Sequence, residues 1–230
     1  MPLPYRDRFD AGRALAAELL ALVGRTDMLV LALPRGGVPV ADQVARELRA
    51  PLDVFVVRKL GVPGHEELAM GAIASGDIVV FNREVLAMLR IPRAELDAVI
   101  GRERLELARR DREYRDGRPP PAIAGKLVIL VDDGLATGSS MLAAVRALRE
   151  EHPQRIIVAV PVASREAVAL LRGEGTEVVC PATPDPFYGV GWWYQDFSQT
   201  TDAEVRDLLA RASHTADQPA PGEQSPRAAG

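Results

Sequence analysis

The chain has 230 residues, 47% of them hydrophobic and 26% charged, with a formal net charge of −4. That length can bury one sizeable core, and the mild acidity gives no electrostatic footprint for nucleic acid or an anionic membrane. A lone cysteine, Cys180, excludes an intrachain disulfide framework. No apolar run approaches the roughly 18–20 residues of a membrane span, and the opening, crowded with Pro2, Pro4, Arg6, Asp7 and Arg8, has no signal-peptide pattern. A soluble cytoplasmic protein is expected, with neither nucleic acid nor membrane as partner.

In chain order, Asp10 reads as the N-cap of a first helix with Leu15, Leu19, Leu22 and Val23 on one face and Gly24 as its stop. Residues 28–33 form a short continuous apolar run, the pattern of a strand buried on both faces. The tight segment Pro34-Arg35-Gly36-Gly37 follows, then a helix to about Ala50 and a second strand over 52–57. Gly61, Pro63, Gly64, Gly71 and Gly76 make much of 59–76 read as a loop, with a short strand at 78–81. A long polar helix runs from Pro92 to about Asp116. Its mixed charges fit a solvated face laced with ion pairs better than a nucleic-acid surface.

Further strands are predicted at 126–131, 155–160 and 176–179, with helices at 139–151 and 164–172. Thr201-Asp202-Ala203-Glu204 has capping-box spacing and opens a last helix that turns Val205, Leu208 and Leu209 inward. From about 212 the chain becomes rich in Pro, Gly, Ser, Gln and Ala, the composition of a disordered tail. Strands alternating with helices predict one α/β domain over 1–211, with a mainly parallel central sheet flanked by helices.

The most informative string is Val131-Asp132-Asp133-Gly134-Leu135-Ala136-Thr137-Gly138-Ser139-Ser140. A buried strand ends in two carboxylates, passes through small residues and enters a helix. Free N–H groups at a helix start attract an anion, Thr137, Ser139 and Ser140 add hydroxyl donors, and the glycines allow close approach. The adjacent acids suit hydroxyl donors such as a ribose diol, or a metal. The string therefore reads as a sugar-phosphate binder. It is not a P-loop, since no Lys follows Gly138, nor a dinucleotide fingerprint, whose glycines are spaced differently.

This string resembles the 5-phosphoribosyl 1-pyrophosphate (PRPP) signature of type I phosphoribosyltransferases, and its D-D-x-x-A-T-G form is most like that of adenine phosphoribosyltransferases. The resemblance implies that family's α/β fold with a small hood, Mg²⁺ as cofactor, and transfer of a 5-phosphoribosyl group from PRPP to a nitrogenous acceptor with release of pyrophosphate. By motif position it implies that Asp132 and Asp133 hold the ribose hydroxyls and contact the metal, and that Ala136, Thr137, Gly138, Ser139 and Ser140 cradle the 5′-phosphate. Arg35, Gly36 and Gly37 match the pyrophosphate loop, and Arg58-Lys59 a basic pair at the end of the second strand. Arg35 and Lys59, with the two acids, are the residues expected to act on the reacting groups.

The stretch 59–76 matches the family's mobile catalytic loop and carries His65, Glu66 and Glu67 as candidate acid/base groups. Six of the eleven aromatic residues fall between Phe187 and Phe197, a concentration that suits core packing, a homo-oligomer interface or a hood near 181–200. In the hood reading Phe187 stacks on a flat acceptor and Asp196 lies near metal-bound pyrophosphate.

The pattern also departs from its relatives. Ala136 stands where 6-oxopurine enzymes carry an Asp, and the strand ending Val158-Ala159-Val160-Pro161-Val162 lacks their base-reading Lys. The acceptor is therefore left open. A regulator that senses PRPP without turnover is the alternative reading, and hydrolysis or phosphorolysis of a related phosphoribosyl compound is a third.

Overall fold

A computed structural model describes residues 3–89 and 91–216. A five-stranded parallel sheet forms its centre: β1 (Met28–Ala32), β2 (Leu52–Val54), β6 (Leu127–Val131), β7 (Arg155–Ala159) and β8 (Glu177–Val179), in the order β2-β1-β6-β7-β8. Strand side chains alternate between two cores, as the pleat requires. Met28, Val30, Ala32, Leu127, Ile129 and Val131 face α1 (Arg8–Glu18), α2 (Gly37–Leu48) and α7 (Asp202–Ala216). Leu29, Leu31, Val128, Leu130 and Val158 face α5 (Ser139–Glu150) and α6 (Arg165–Gly173). The predicted parallel α/β sandwich is thus the observed architecture, and no helix among the described residues is long and apolar enough to cross a membrane.

Three local expectations are corrected. The first helix begins three residues early: Asp7 is the N-cap, accepting from the Asp10 N–H (2.7 Å), while Asp10 reaches back to the Arg6 N–H (3.2 Å). Asp10 thus stands at the third helical position, where the acid of a capping box sits. The helix ends at Glu18, a 3₁₀ turn over Leu20–Leu22 follows, and Val23 is exposed rather than inward. The last helix continues to Ala216, past the expected break near 212; the rest of the expected tail lies outside the described residues.

The largest correction is at 59–76. Instead of a loop, β3 (Val57–Val62) and β4 (His65–Ala74) pair antiparallel and β5 (Ile78–Phe81) extends them into a three-stranded sheet. The glycines that read as loop punctuation serve close backbone packing. The ladder is bulged around Gly61, where a Cβ would lie 2.7 Å from the Glu66 carbonyl oxygen. After β5 the chain forms α3 (Arg83–Leu89), which sequence analysis did not anticipate, and then the long helix α4 (Arg93–Arg115).

The expected ion pairs lace α4: Arg109 joins Glu106 and Glu113, and Arg110 joins Glu106. Its buried end carries Arg115, which pairs with Asp53 (3.0 Å) and Asp111 (2.9 Å) and donates to the Val54 carbonyl (2.8 Å). Asp111 in turn accepts from Ser75 Oγ (2.8 Å), and Ser75 exchanges bonds with Val56 at the root of the hairpin. This buried network anchors the second sheet to the first.

Candidate active site

The strand order places a switch point between β1 and β6. From β1 the chain proceeds to β2 on one side, and from β6 to β7 on the other, so the loops leaving the two carboxyl ends part and open a crevice. Both predicted anion loops start there. The Leu33 N–H bonds the Val131 carbonyl (2.9 Å) as the last rung between them. Arg35-Gly36-Gly37 then turns into α2 through a cis Pro34–Arg35 peptide, while Asp132-Asp133-Gly134 leads towards α5.

The two loops touch. Gly36 is packed so closely on Asp133 that a Cβ there would overlap Oδ2, and a Cβ on Gly37 would lie 2.9 Å from Cα of Asp132. Asp132 Oδ1 accepts from the Asp133 N–H (2.8 Å). Burial pushes the Asp132 carboxyl well above the usual carboxylate range, and the charge of Asp133 adds to the shift. Burial raises Asp133 as well, but the Arg8 guanidinium, 2.8 Å from its Oδ2, opposes that rise.

Downstream, Gly138 holds φ at 75° and sits as the N-cap of α5, a left-handed conformation that suits glycine. It has no side chain to cap the helix, and the Ser139 N–H instead reaches Thr137 Oγ1 (3.4 Å); helix-start N–H groups of this kind can attract an anion. Thr137 Oγ1 lies 3.2 Å from Ser139 Oγ at the same turn. The loop is stitched to the β7–α6 connection: Ser164 Oγ donates to the Ala136 carbonyl (2.7 Å), and the Leu135 N–H bonds the Val162 carbonyl (3.0 Å).

Arg35, from the first loop, stands 3.8 Å from Asp202 at the start of α7, and Tyr114 donates to the same carboxylate (2.6 Å). The basic pair on β3 is divided. Arg58 is committed to Glu103 on α4 through Nε and Nη2 (2.9 and 2.6 Å), whereas Lys59 is exposed. His65 and Glu66 lie exposed at the hairpin tip, and the side chain of Glu67 lies outside the described ones.

A cleft of about 630 Å³ runs beside the phosphate loop, from Ala136 and Thr137 past Ser164, Arg165 and Glu166 to the segment 184–189. Phe187 lines it and stacks on Trp193 (6.4 Å between centroids, 29° between planes). Arg165 and Asp185 pair across its edge at 3.2 Å, both largely exposed. Segment 181–200, expected to form a hood, is not self-contained. The Tyr5 N–H bonds the Trp193 carbonyl, and the Tyr5 and Arg6 carbonyls accept from Gln195 and Asp196.

Sequence reasoning missed Arg8 and Tyr194, which act on the acidic pair from this unit. Arg8 bonds Asp133 Oδ2, and the Tyr194 hydroxyl donates to the Asp133 carbonyl (2.6 Å). No local pattern marks either, because their partner lies in a remote part of the chain.

Among the described residues no cluster of three or more His, Cys, Asp or Glu comes together as a metal site. Asp196 instead accepts from the Ser198 N–H (2.9 Å), which holds its carboxyl below the usual range. Two adjacent carboxylates beside anion-binding loops still fit Mg²⁺, which commonly takes one or two protein carboxylates and completes its shell with water and substrate phosphates.

Comparison with known proteins adds the lineage. A Mycobacterium tuberculosis protein, provisionally named a phosphoribosyl transferase, is 46% identical over 208 residues, covering 90% of this chain and 47% of its own length. The chain therefore spans about half of that relative. The crystal structure of TT1426 from Thermus thermophilus superposes with a TM-score of 0.82 at 44% identity, covering 91% of this chain and 99% of that one. The bifunctional protein PyrR of Brevibacillus brevis is 34% identical over 99 residues, 41% of this chain and 55% of its own. The family model for the phosphoribosyl transferase domain matches residues 5–190, most of the chain, with both anion loops and the cleft inside that span. The chain belongs to the phosphoribosyl transferase family.

Proposed function

We propose that this protein transfers a 5-phosphoribosyl group from PRPP to a nitrogen nucleophile and releases pyrophosphate, with Mg²⁺ bound together with the donor. The observation that carries this reading is the meeting of two anion loops and an acidic pair at the sheet's switch point, beside an aromatic-walled cleft. The first-turn N–H groups of α5 with Thr137, Ser139 and Ser140 would take the 5′-phosphate, and Ala136 and Gly138 would let it approach the backbone. Asp132 and Asp133 would accept from the ribose hydroxyls. The loop Arg35-Gly36-Gly37 would hold pyrophosphate, with the exposed Lys59 on β3 as a further cation; Arg58 is tied to Glu103.

The chemistry follows from charge. As the bond from the anomeric carbon to pyrophosphate stretches, positive charge grows on the ribose and negative charge on the leaving group. Fixed donors already aimed at both ends stabilise that separation without reorganising. Arg35 and the loop N–H groups serve the leaving end, and the acids serve the ribose. The metal supplies further positive charge for pyrophosphate when bound. The acceptor would lie in the cleft against Phe187, its nitrogen directed at the carbon being vacated.

Titration calorimetry with PRPP and Mg²⁺, coupled to a pyrophosphate-release assay across a panel of nitrogenous bases, tests the reading. Binding with release on at least one acceptor is expected. Binding without release on any acceptor would favour a PRPP sensor, and an absence of binding at millimolar PRPP would remove the donor assignment altogether.

A further inference from the structure

Arg8 has no part in the transfer chemistry just described, yet three separate contacts build it into the site. It stands at the start of α1, 125 residues from Asp133 in sequence, and its Nε donates to Asp133 Oδ2 at 2.8 Å. Nη1 donates to the Ser198 carbonyl (2.7 Å), and the guanidinium carbon lies 4.0 Å from the centre of the Phe197 ring. Only 11% of the Arg8 side chain and 15% of the Asp133 side chain are exposed. Three separate contacts therefore fix one guanidinium. A lysine's single compact ammonium could not make all of them.

The position of this pair gives it a function. Asp133 Oδ2 occupies the space a Cβ on Gly36 would need, and Arg8 Nε lies 3.3 Å from the same point. The ion pair is thus the floor on which the loop Arg35-Gly36-Gly37 rests. Two neighbouring carboxylates under an anion-binding loop would repel pyrophosphate. A shielded guanidinium offsets one of those charges at short range, where screening by solvent is weak. The other end of Asp133 is held by the same unit, because the Tyr194 hydroxyl bonds its carbonyl and residues 194–196 are laced to Tyr5 and Arg6.

We infer that Arg8 is a positioning residue of the donor site: by fixing and neutralising Asp133 it sets the floor of the pyrophosphate loop and ties that loop to the hood. Asp132, which Arg8 touches through charge but not through an ion pair, is then the acid left to meet ligand directly. The inference rests on the donor assignment proposed above.

The test compares the full chain with Arg8→Gln, Arg8→Lys, Asp133→Asn and the double variant Arg8→Gln/Asp133→Asn, titrating each with inorganic pyrophosphate and with PRPP in the presence of Mg²⁺. Arg8→Gln is expected to weaken pyrophosphate binding by about tenfold or more, with Arg8→Lys falling between it and the native chain. In the Asp133→Asn background, the same Arg8→Gln change is expected to cost less than about threefold, because the carboxylate it serves is gone.

A lower melting temperature with native affinities in the folded Arg8→Gln protein would make Arg8 merely structural and overturn the inference. Equal losses in both backgrounds would overturn it too. If Arg8→Gln does not fold, as judged by circular dichroism, Arg8→Lys in the two backgrounds supplies the same comparison, and additive losses again count against the proposal. A native chain that binds neither ligand would instead defeat the donor assignment, an outcome distinguishable from all of these.

Discussion

The two halves of the crevice are made differently. On the donor side, between β1 and β6, the contacts are backbone groups, glycines in close approach and largely buried carboxyls, and the principal ion pair is shielded. On the proposed acceptor side, the cleft wall includes Phe187, itself stacked on Trp193, and its main charged feature is the solvent-facing Arg165–Asp185 pair. A site fixed by backbone geometry leaves little room for a different ligand. A site lined by partly or fully exposed side chains of the irregular segment 184–189 can change with each substitution. Under the proposed function, this contrast would go with a fixed sugar-phosphate donor and an acceptor preference set locally by segment 184–189.

The sharpest way to break this contrast is Asp132→Ala. Losing two hydrogen bonds to a charged group, at about 1.5–3 kcal/mol each, should lower PRPP affinity on the order of a hundredfold or more by calorimetry. Thermal stability should hold or rise, since burial opposes the ionised form of that carboxyl. A loss under about threefold would remove Asp132 from the ribose site. Next is Gly36→Ala, whose Cβ would overlap Asp133 Oδ2. Overpacking of about 1–3 kcal/mol should appear as a lower melting temperature and about tenfold weaker pyrophosphate binding.

How much of this was legible in the sequence follows the same divide. The segment from Val131 to Ser140 could be read because strand end, acids and helix start are contiguous, so each letter's role is set by its neighbours. The same holds for the capping box, where Thr201 and Glu204 exchange bonds as spaced. The stretch 59–76 misled because glycine serves equally for flexibility and for close packing, and only the partner backbone tells which; at Gly61 that partner is Glu66. Arg8 and Tyr194 were illegible for a further reason. Their contacts with Asp133 span 125 and 61 residues, and no local period encodes such a pairing. The family assignment and the parallel α/β fold were read correctly from the letters, whereas the hood's dependence on the N-terminal segment was not.

Smaller effects sharpen the acceptor half. Phe187→Leu removes an aromatic stack worth about 0.5–1.5 kcal/mol, so the KM for the acceptor should rise roughly three- to tenfold with PRPP affinity unchanged. Equal losses for donor and acceptor would show that the two halves are not separable. The smallest change is expected from Arg165→Ala. An exposed pair contributes about 0–1 kcal/mol, so the melting temperature should stay nearly constant. A shift in the ranking of acceptors would then place Arg165 among the residues that choose between them.

The Arg8 bridge also bears on when the protein can become competent. Arg8 is separated from Asp133 by 125 residues and from its other bonding partner, Ser198, by 190. During synthesis β1, β6 and both anion loops leave the ribosome well before residue 198 does, so the nascent chain holds an incomplete crevice until that residue appears. Contacts this distant in sequence close late because loop entropy must be met before they form. Ligand binding should therefore be the last property acquired in refolding, after the sheet has already gained its protection from hydrogen exchange.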